Sequence, residues 1–246
     1  MPTSRKKLNE LAKDYHLSAD VPDLFIENLC QINTLKWVAQ HTHPVGDLLE
    51  LGYGDGLFTH ELVQMGHTVT LLEGAQSLVA KVRAEYGDRV QIHHSLFEEF
   101  ETEETYDYVI ATHVLEHVDN PVSVLSRMKS WLKPSARLVV IVPNKESLHR
   151  QLAVLMNLQP QMDTLSDRDQ MVGHQRVYSF ETLAKDLDQA GFEVVERKGF
   201  FLKVLPNSMM LDFSEKLINA LNEVADLIPD HLLANIGAVV KLKASQ

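Results

Sequence analysis

Three of the eleven glycines fall within five residues, Gly52-Tyr53-Gly54-Asp55-Gly56, directly after the apolar run Asp47–Leu51. Glycines there let a backbone turn tightly and approach a ligand closely. The helix expected from Leu57 adds unpaired N–H groups at its start. Twenty-one residues past Gly52 a second apolar run ends at Glu73, an acid placed to bind ribose hydroxyls. Together they describe a nucleoside-binding edge. The nicotinamide fingerprint G-x-G-x-x-G is not met, because Leu57 takes its third glycine position and the glycine comes one residue early, at Gly56. Glu50, two residues before Gly52, would repel a pyrophosphate but could hold a cation. S-adenosylmethionine carries a sulfonium and an ammonium where NAD carries a pyrophosphate, so the sign of the local charge favours it.

Histidines supply the second candidate chemistry. His113-Val-Leu-Glu116-His117 fits H-x-x-E-H, the zinc pattern of inverted zinc peptidases. Residues at i and i+4 share a helix face. The segment nevertheless follows a buried strand and is broken by Asp119-Asn120-Pro121, which does not suit a long metal-binding helix. It is expected to floor the cofactor pocket, and no metal is expected. A zinc enzyme using His113, Glu116 and His117 stands as an alternative.

His149 and His174 lie in an irregular insertion, residues 145–178, read as a lid. A histidine titrating near neutrality suits removal of a proton from a hydroxyl or ammonium acceptor. His174, His117 and His149 are therefore the candidate catalytic residues, with Arg176 and Tyr178 placed to meet an anionic or polyhydroxyl acceptor. The alternative is that His174 and Tyr178 only tie the lid to the domain. Met156, Met162 and Met171 would give the lid a deformable binding surface. His93 and His94 adjoin the third strand as structural or edge cofactor contacts, and His41, His43, His60, His67 and His231 need no function.

The elements that must position these groups alternate. Strand-like runs occur at Asp47–Leu51, Thr68–Leu72, Val90–His93, Tyr106–Ile110 and Arg137–Val142, with helical stretches at Leu57–Met65, Ser77–Tyr86 and Val122–Leu132 between them. Short Val/Ile/Leu-rich runs separated by helices of this length make βαβ units on a doubly wound, mostly parallel sheet. A helix over Phe180–Ala190 and strands at Phe192–Val195 and Ile236–Leu242 complete seven strands; a helix spans roughly Asp212–Ile228. Residues 1–44 read as a helical cap, with Pro22 starting a second helix and Pro44 stopping it, and residues 45–246 as the main domain.

The chain of 246 residues is 45% hydrophobic and 23% charged, which is ordinary globular composition. Its single cysteine, Cys30, excludes an intramolecular disulfide framework and a Cys-based zinc site. A net charge of -11 argues against nucleic acid and anionic membranes as partners. No apolar run reaches the roughly 18 residues that span a bilayer, and Met1–Glu10 lacks the apolar core of a signal peptide. A soluble, cytoplasmic protein is expected.

In combination these motifs resemble the class I S-adenosylmethionine-dependent methyltransferases. Leu48-Leu-Glu-Leu-Gly-Tyr-Gly-Asp-Gly56 is similar to their first motif, and Glu73 to the ribose-binding acid. Thr112-His-Val-Leu-Glu-His117 is similar to the segment under the cofactor in the small-molecule branch. Trp131-Leu-Lys-Pro-Ser-Ala-Arg-Leu-Val-Val140, Gly173-His-Gln-Arg-Val-Tyr-Ser179 and Ala190-Gly-Phe192 recur there too. The resemblance covers roughly residues 45–200 and implies a Rossmann-like fold. It implies S-adenosylmethionine as cofactor, S-adenosylhomocysteine as product, and a small-molecule acceptor methylated on oxygen or nitrogen. Cofactor contacts are expected from Glu50, Gly52, Tyr53, Gly54, Glu73, Gly74, Thr112 and His113. One position departs. Where many relatives place an Asp for the adenine amino group, this chain has Ser95-Leu96-Phe97, so backbone groups and apolar packing would hold adenine. A cofactor-binding protein without catalysis is the remaining alternative.

Overall fold

The computed structural model describes residues 5–18 and 21–244. Seven strands form one sheet: β1 (Asp47–Leu51), β2 (Thr68–Glu73), β3 (Val90–His94), β4 (Tyr106–Thr112), β5 (Leu132–Pro143), β6 (Phe192–Phe200) and β7 (Asn235–Leu242). Their order is β3-β2-β1-β4-β5-β7-β6, a Rossmann-like arrangement. The first five strands pair in parallel, and β7 runs antiparallel between β5 and β6. Parallel strands are covered on both faces, which is why they read as unbroken apolar runs; Leu48, Leu49, Ile110, Val139 and Val140 are fully buried.

The helices before and between the strands are α1 (Arg5–Leu11), continued by a π-helical turn over Ala12–His16, α2 (Leu24–His41), α3 (Leu57–Gln64), α4 (Gln76–Tyr86) and α5 (Pro121–Met128). The start of α5 follows local chemistry. The Asn120 side chain accepts from the Ser123 amide and Pro121 sits in the first turn, where its missing N–H costs nothing. Later come α6 (Leu148–Leu155), α7 (Asp167–Met171), α8 (Phe180–Gln189) and α9 (Glu215–Val224). Ser166 and Ser179 start α7 and α8 with reciprocal capping bonds to Asp169 and Thr182.

One sheet face buries Leu125, Trp131 and Leu183 with α5 and α8, and the other buries Trp37, Leu62, Leu78 and Val82 with α2, α3 and α4. A third cluster joins α2 to the segment after β6, where Ile26 and Cys30 meet Phe201, Met210 and Ile218. Asn33 Nδ2 donates to the Asn222 carbonyl at 2.9 Å and Asn222 Nδ2 to the Leu29 carbonyl at 2.8 Å, fixing α2 against α9.

Several boundaries differ from the sequence reading. β5 begins at Leu132, ahead of Arg137, because Leu132 already pairs with Tyr106 across an irregularity in the ladder. β6 extends to Phe200 through a register shift between Val194 and Glu196. The chain leaves β6 at Phe201, whose φ of 61° turns a fully buried ring into the third cluster. The helix expected to reach Ile228 ends at Val224 and tightens into a 3₁₀ turn over Ala225–Leu227. His67, for which the sequence asks no function, is buried beside Tyr108. Among the described residues no helix is long and apolar enough to cross a membrane.

Candidate active site

A cavity of about 330 Å³ opens at the carboxyl ends of β1, β2 and β4. Ligands of open α/β sheets bind there, at the point where strand order reverses. The glycine loop leaves β1 with left-handed residues at Gly52 (φ 80°) and Gly54 (φ 53°), a region that glycine enters without steric cost. At Gly56 (φ 86°) an added Cβ would run into the Tyr53 phenol. The loop can therefore approach a ligand with bare backbone.

Glu73 ends β2 and is 7% exposed. Its carboxylate accepts the Tyr53 amide at 2.9 Å and the Ala75 amide at 2.6 Å. Burial raises its pKa, against the lowering effect of these two bonds. Each carboxylate oxygen has a further lone pair, so the group can also accept from a vicinal diol. Glu50, also buried, lines the cavity from β1 and accepts from Thr59 Oγ1 at 2.6 Å. Burial pushes its carboxyl up to about 8; the Thr59 bond pulls it down and the Glu73 charge raises it further.

The floor comes from the segment after β4. It is a turn rather than a helix, so the H-x-x-E-H residues do not form a helical zinc motif. His113 has a φ of 55° and its amide is bound by the Ile141 carbonyl at 2.8 Å. Its Nδ1 lies 3.1 Å from Glu116 Oε1. Burial depresses the His113 pKa, but the bond to Glu116 and its charge outweigh this and raise it. Glu116 is fully buried, which raises its pKa, and the histidines around it lower it below the usual range. His117 is held down to about 4, first by burial, with His174 adding to the effect and the Glu116 charge opposing it.

The lid is stitched to this floor. The Gln175 amide donates to the Glu116 carbonyl (2.7 Å), and its Nε2 donates to the His117 carbonyl (2.6 Å) and to Asp119 Oδ1 (3.0 Å). Arg176, expected against an acceptor, donates instead to the carbonyls of Leu115, Val118 and Asp119 and does not line the cavity. Tyr178, also expected there, is buried in the core under α8. Backbone carbonyls of the turn after β4 have no ladder partners, and Gln175 and Arg176 supply the donors; the Tyr178 backbone instead pairs with Pro143 and Lys145 at the end of β5.

These anchors bring His174 to the cavity. Its Nδ1 lies 2.9 Å from Asp169 Oδ1, and Asp169 Oδ2 takes Arg150 Nη2 at 2.6 Å. Arg150 also donates to the carbonyls of Met162 and Thr164, so one buried guanidinium folds the lid loop around itself. Burial raises the Asp169 pKa, yet the bonds from His174, Arg150 and Ser166 hold it far below the usual carboxylate range. His149 lines the cavity as well; burial, then Lys203 and Arg150, keep it well below the ordinary histidine value. It is neutral at pH 7 and a weak base, which matches a proton-abstracting role poorly.

Of the expected cofactor contacts, Glu50, Gly52, Tyr53, Gly54, Glu73, Phe97, Thr112 and His113 line the cavity. Gly74, Ser95 and Leu96 do not; the Leu8 side chain of α1 and that of Leu96 crowd Gly74, and Leu8, Ala75 and Leu78 form the apolar wall there. Met156, Met162 and Met171 face solvent and contribute nothing to it. The sequence reading passed over His16, whose Nδ1 sits 2.9 Å from Asp55 Oδ1 and closes the N-terminal turn over the glycine loop. Tyr15 likewise receives Arg168 from the lid, through a bond at 2.9 Å and a ring contact. No local pattern marks either residue, because their partners are 39 and 153 residues away.

The sheet order, the glycine loop and a buried acid closing β2 define a Rossmann-like nucleoside-binding domain. Residues 25–197 match the family described as "Methyltransferase domain", and the chain belongs to it. It is 27% identical over 191 residues to the ubiquinone biosynthesis O-methyltransferase of Ruegeria pomeroyi, covering 74% of this chain and 73% of that protein. The Rickettsia conorii protein of the same name is 28% identical over 102 residues, 40% of this chain and 35% of that one, so the chain spans only about a third of it. In fold it is similar to Burkholderia thailandensis 1,6-didemethyltoxoflavin-N1-methyltransferase, solved with 1,6-didemethyltoxoflavin and S-adenosylhomocysteine. The TM-score is 0.63 at 17% identity, over 97% of this chain and 87% of that one.

Proposed function

We propose that this protein moves a methyl group from S-adenosylmethionine to an oxygen or nitrogen of a small molecule. One observation carries the reading: the buried Glu73 carboxylate and the Asp169–His174 couple open into the same cavity. The residues fit the cofactor by their chemistry. Glu73 would accept the ribose hydroxyls, the bare glycine loop would admit the methionine portion, Leu8 and Leu78 would cover the base, and Glu50 would face the cationic end. When bound, the cofactor supplies a methyl carbon already activated by sulfonium. The protein's work is then mostly positioning and the exclusion of water. The lid and the N-terminal turn provide both, and the acceptor would sit between His174 and the end lined by His149, Phe201 and Lys203.

Calorimetric titration with S-adenosylhomocysteine, with NADH as the control, tests the cofactor assignment. Micromolar binding of the first and none of the second is expected; the reverse would overturn it. His174→Ala should slow turnover at least tenfold with cofactor affinity nearly unchanged, and equal turnover would remove His174 from the reaction.

Glu50 makes the cofactor's affinity depend on pH. With its carboxyl near 8, it is mostly protonated in the free protein at pH 7. A cation beside it favours the carboxylate, so binding releases a proton. Affinity should therefore rise with pH up to about 8, by at most about tenfold per unit, and level off above that. Titrations at pH 7 in buffers of different ionisation enthalpy would count the proton. Glu50→Gln should flatten the profile.

A further inference from the structure

The geometry points to a divalent transition-metal site formed by Glu116, His117 and His174 where the lid meets the floor. One ligand atom from each of the three side chains lies within 4.8 Å of the others. Glu116 Oε1 is taken by His113, while Oε2 is buried and has no hydrogen-bond partner. A buried carboxylate oxygen without a donor is costly, and a cation would satisfy it.

Both histidines have the outer bonds that metal-binding imidazoles use. Asp169 takes Nδ1 of His174, which directs the remaining lone pair to Nε2. The Gly173 carbonyl bonds the His117 ring. The two rings meet edge to face with centroids 4.8 Å apart, rather than stacking. Metal bonds of 2.0–2.1 Å separate ligand atoms by roughly 3.4 Å, so small side-chain rotations would close the site. Two imidazoles and one carboxylate suit zinc, iron or nickel better than magnesium or calcium, and three protein ligands leave coordination positions open. His117 and His174 line the cavity, so those positions face the acceptor.

The role of such a site rests on the methyl-transfer reading and narrows it to hydroxyl acceptors. A cation there would bind the acceptor oxygen and lower the pKa of its hydroxyl. The proton leaves to solvent, the oxygen–methyl bond forms as the carbon–sulfur bond breaks, and the sulfonium becomes a neutral thioether. His174 would then act on the acceptor's proton through the cation, as a ligand and not as a free base.

The test is zinc titration by calorimetry into the chelator-stripped 246-residue chain, with a visible spectrum of the cobalt-loaded form as a second readout. Expected are one zinc per chain with a dissociation constant of micromolar or tighter, and cobalt d–d bands characteristic of a four- or five-coordinate site. His174→Ala and His117→Ala should each weaken zinc binding at least 100-fold and abolish the cobalt bands. Asp169→Asn should weaken zinc binding 10- to 100-fold. S-adenosylhomocysteine affinity reports whether each variant is folded, and the wild-type cobalt spectrum needs no variant. Zinc binding weaker than 100 μM in the wild type, or unchanged in both histidine variants, would overturn the site. Zinc bound at these residues without S-adenosylhomocysteine binding would leave the site standing and sink the methyl-transfer reading instead.

Discussion

Glu73→Ala is expected to weaken S-adenosylhomocysteine binding about 100-fold or more, the largest effect of any single change at the cofactor end. On the proposed reading, two charge-assisted bonds to ribose hydroxyls would be lost, each worth about 1.5–3 kcal/mol. A total near 3 kcal/mol is about 100-fold in affinity. The same substitution strips the Tyr53 and Ala75 amides of their acceptor, so the glycine loop also loses its tie to β2. Glu73→Gln keeps an acceptor but loses the charge, and should fall between the two. Calorimetry on the three proteins checks the order. Equal affinities would show that the end of β2 does not hold the nucleoside.

Asp169→Ala is expected to cost the most stability. It removes the counter-charge of Arg150, which is 6% exposed, and it breaks the bonds to His174 and Ser166. Stranding a buried charge in this way typically costs about 3–5 kcal/mol. For a chain of this size that corresponds to a fall in Tm of roughly 10 °C if the lid unfolds together with the sheet. If the lid opens by itself, Tm will move less and amide exchange across residues 145–178 will accelerate instead. In either case turnover should collapse, because His174 loses the group that orients it. Because the Asp169 pKa is depressed, its contribution is complete above the ordinary aspartate value of about 3.9 and is lost only in stronger acid. Wild-type Tm and exchange in the lid would show that the Arg150–Asp169 pair does not hold it.

Much of the site was legible in the sequence where the requirement is local. A glycine loop must follow β1 directly, an acid must end β2, and Asn120-Pro121 announces a helix start, because neighbours in the chain satisfy each need. Residues whose role depends on a distant partner left no such trace. Arg176 reads as a substrate-binding cation, yet it belongs to three carbonyls of the turn after β4. Asp169 lies in the irregular insertion, yet it joins Arg150, Ser166 and His174.

The sequence by itself determined the alternation of strands and helices, the glycine loop and the two acids at the cofactor end. Apolar periodicity and backbone freedom act over a few residues and survive without knowledge of the fold. Only the tertiary structure decided that β7 enters between β5 and β6, that Leu8 and His16 close the cavity, and that the lid carries His174 to Glu116 and His117. Those contacts depend on the path of the chain between distant segments, and burial, which sets the charge of Glu50 and His117, does not exist until that path is complete.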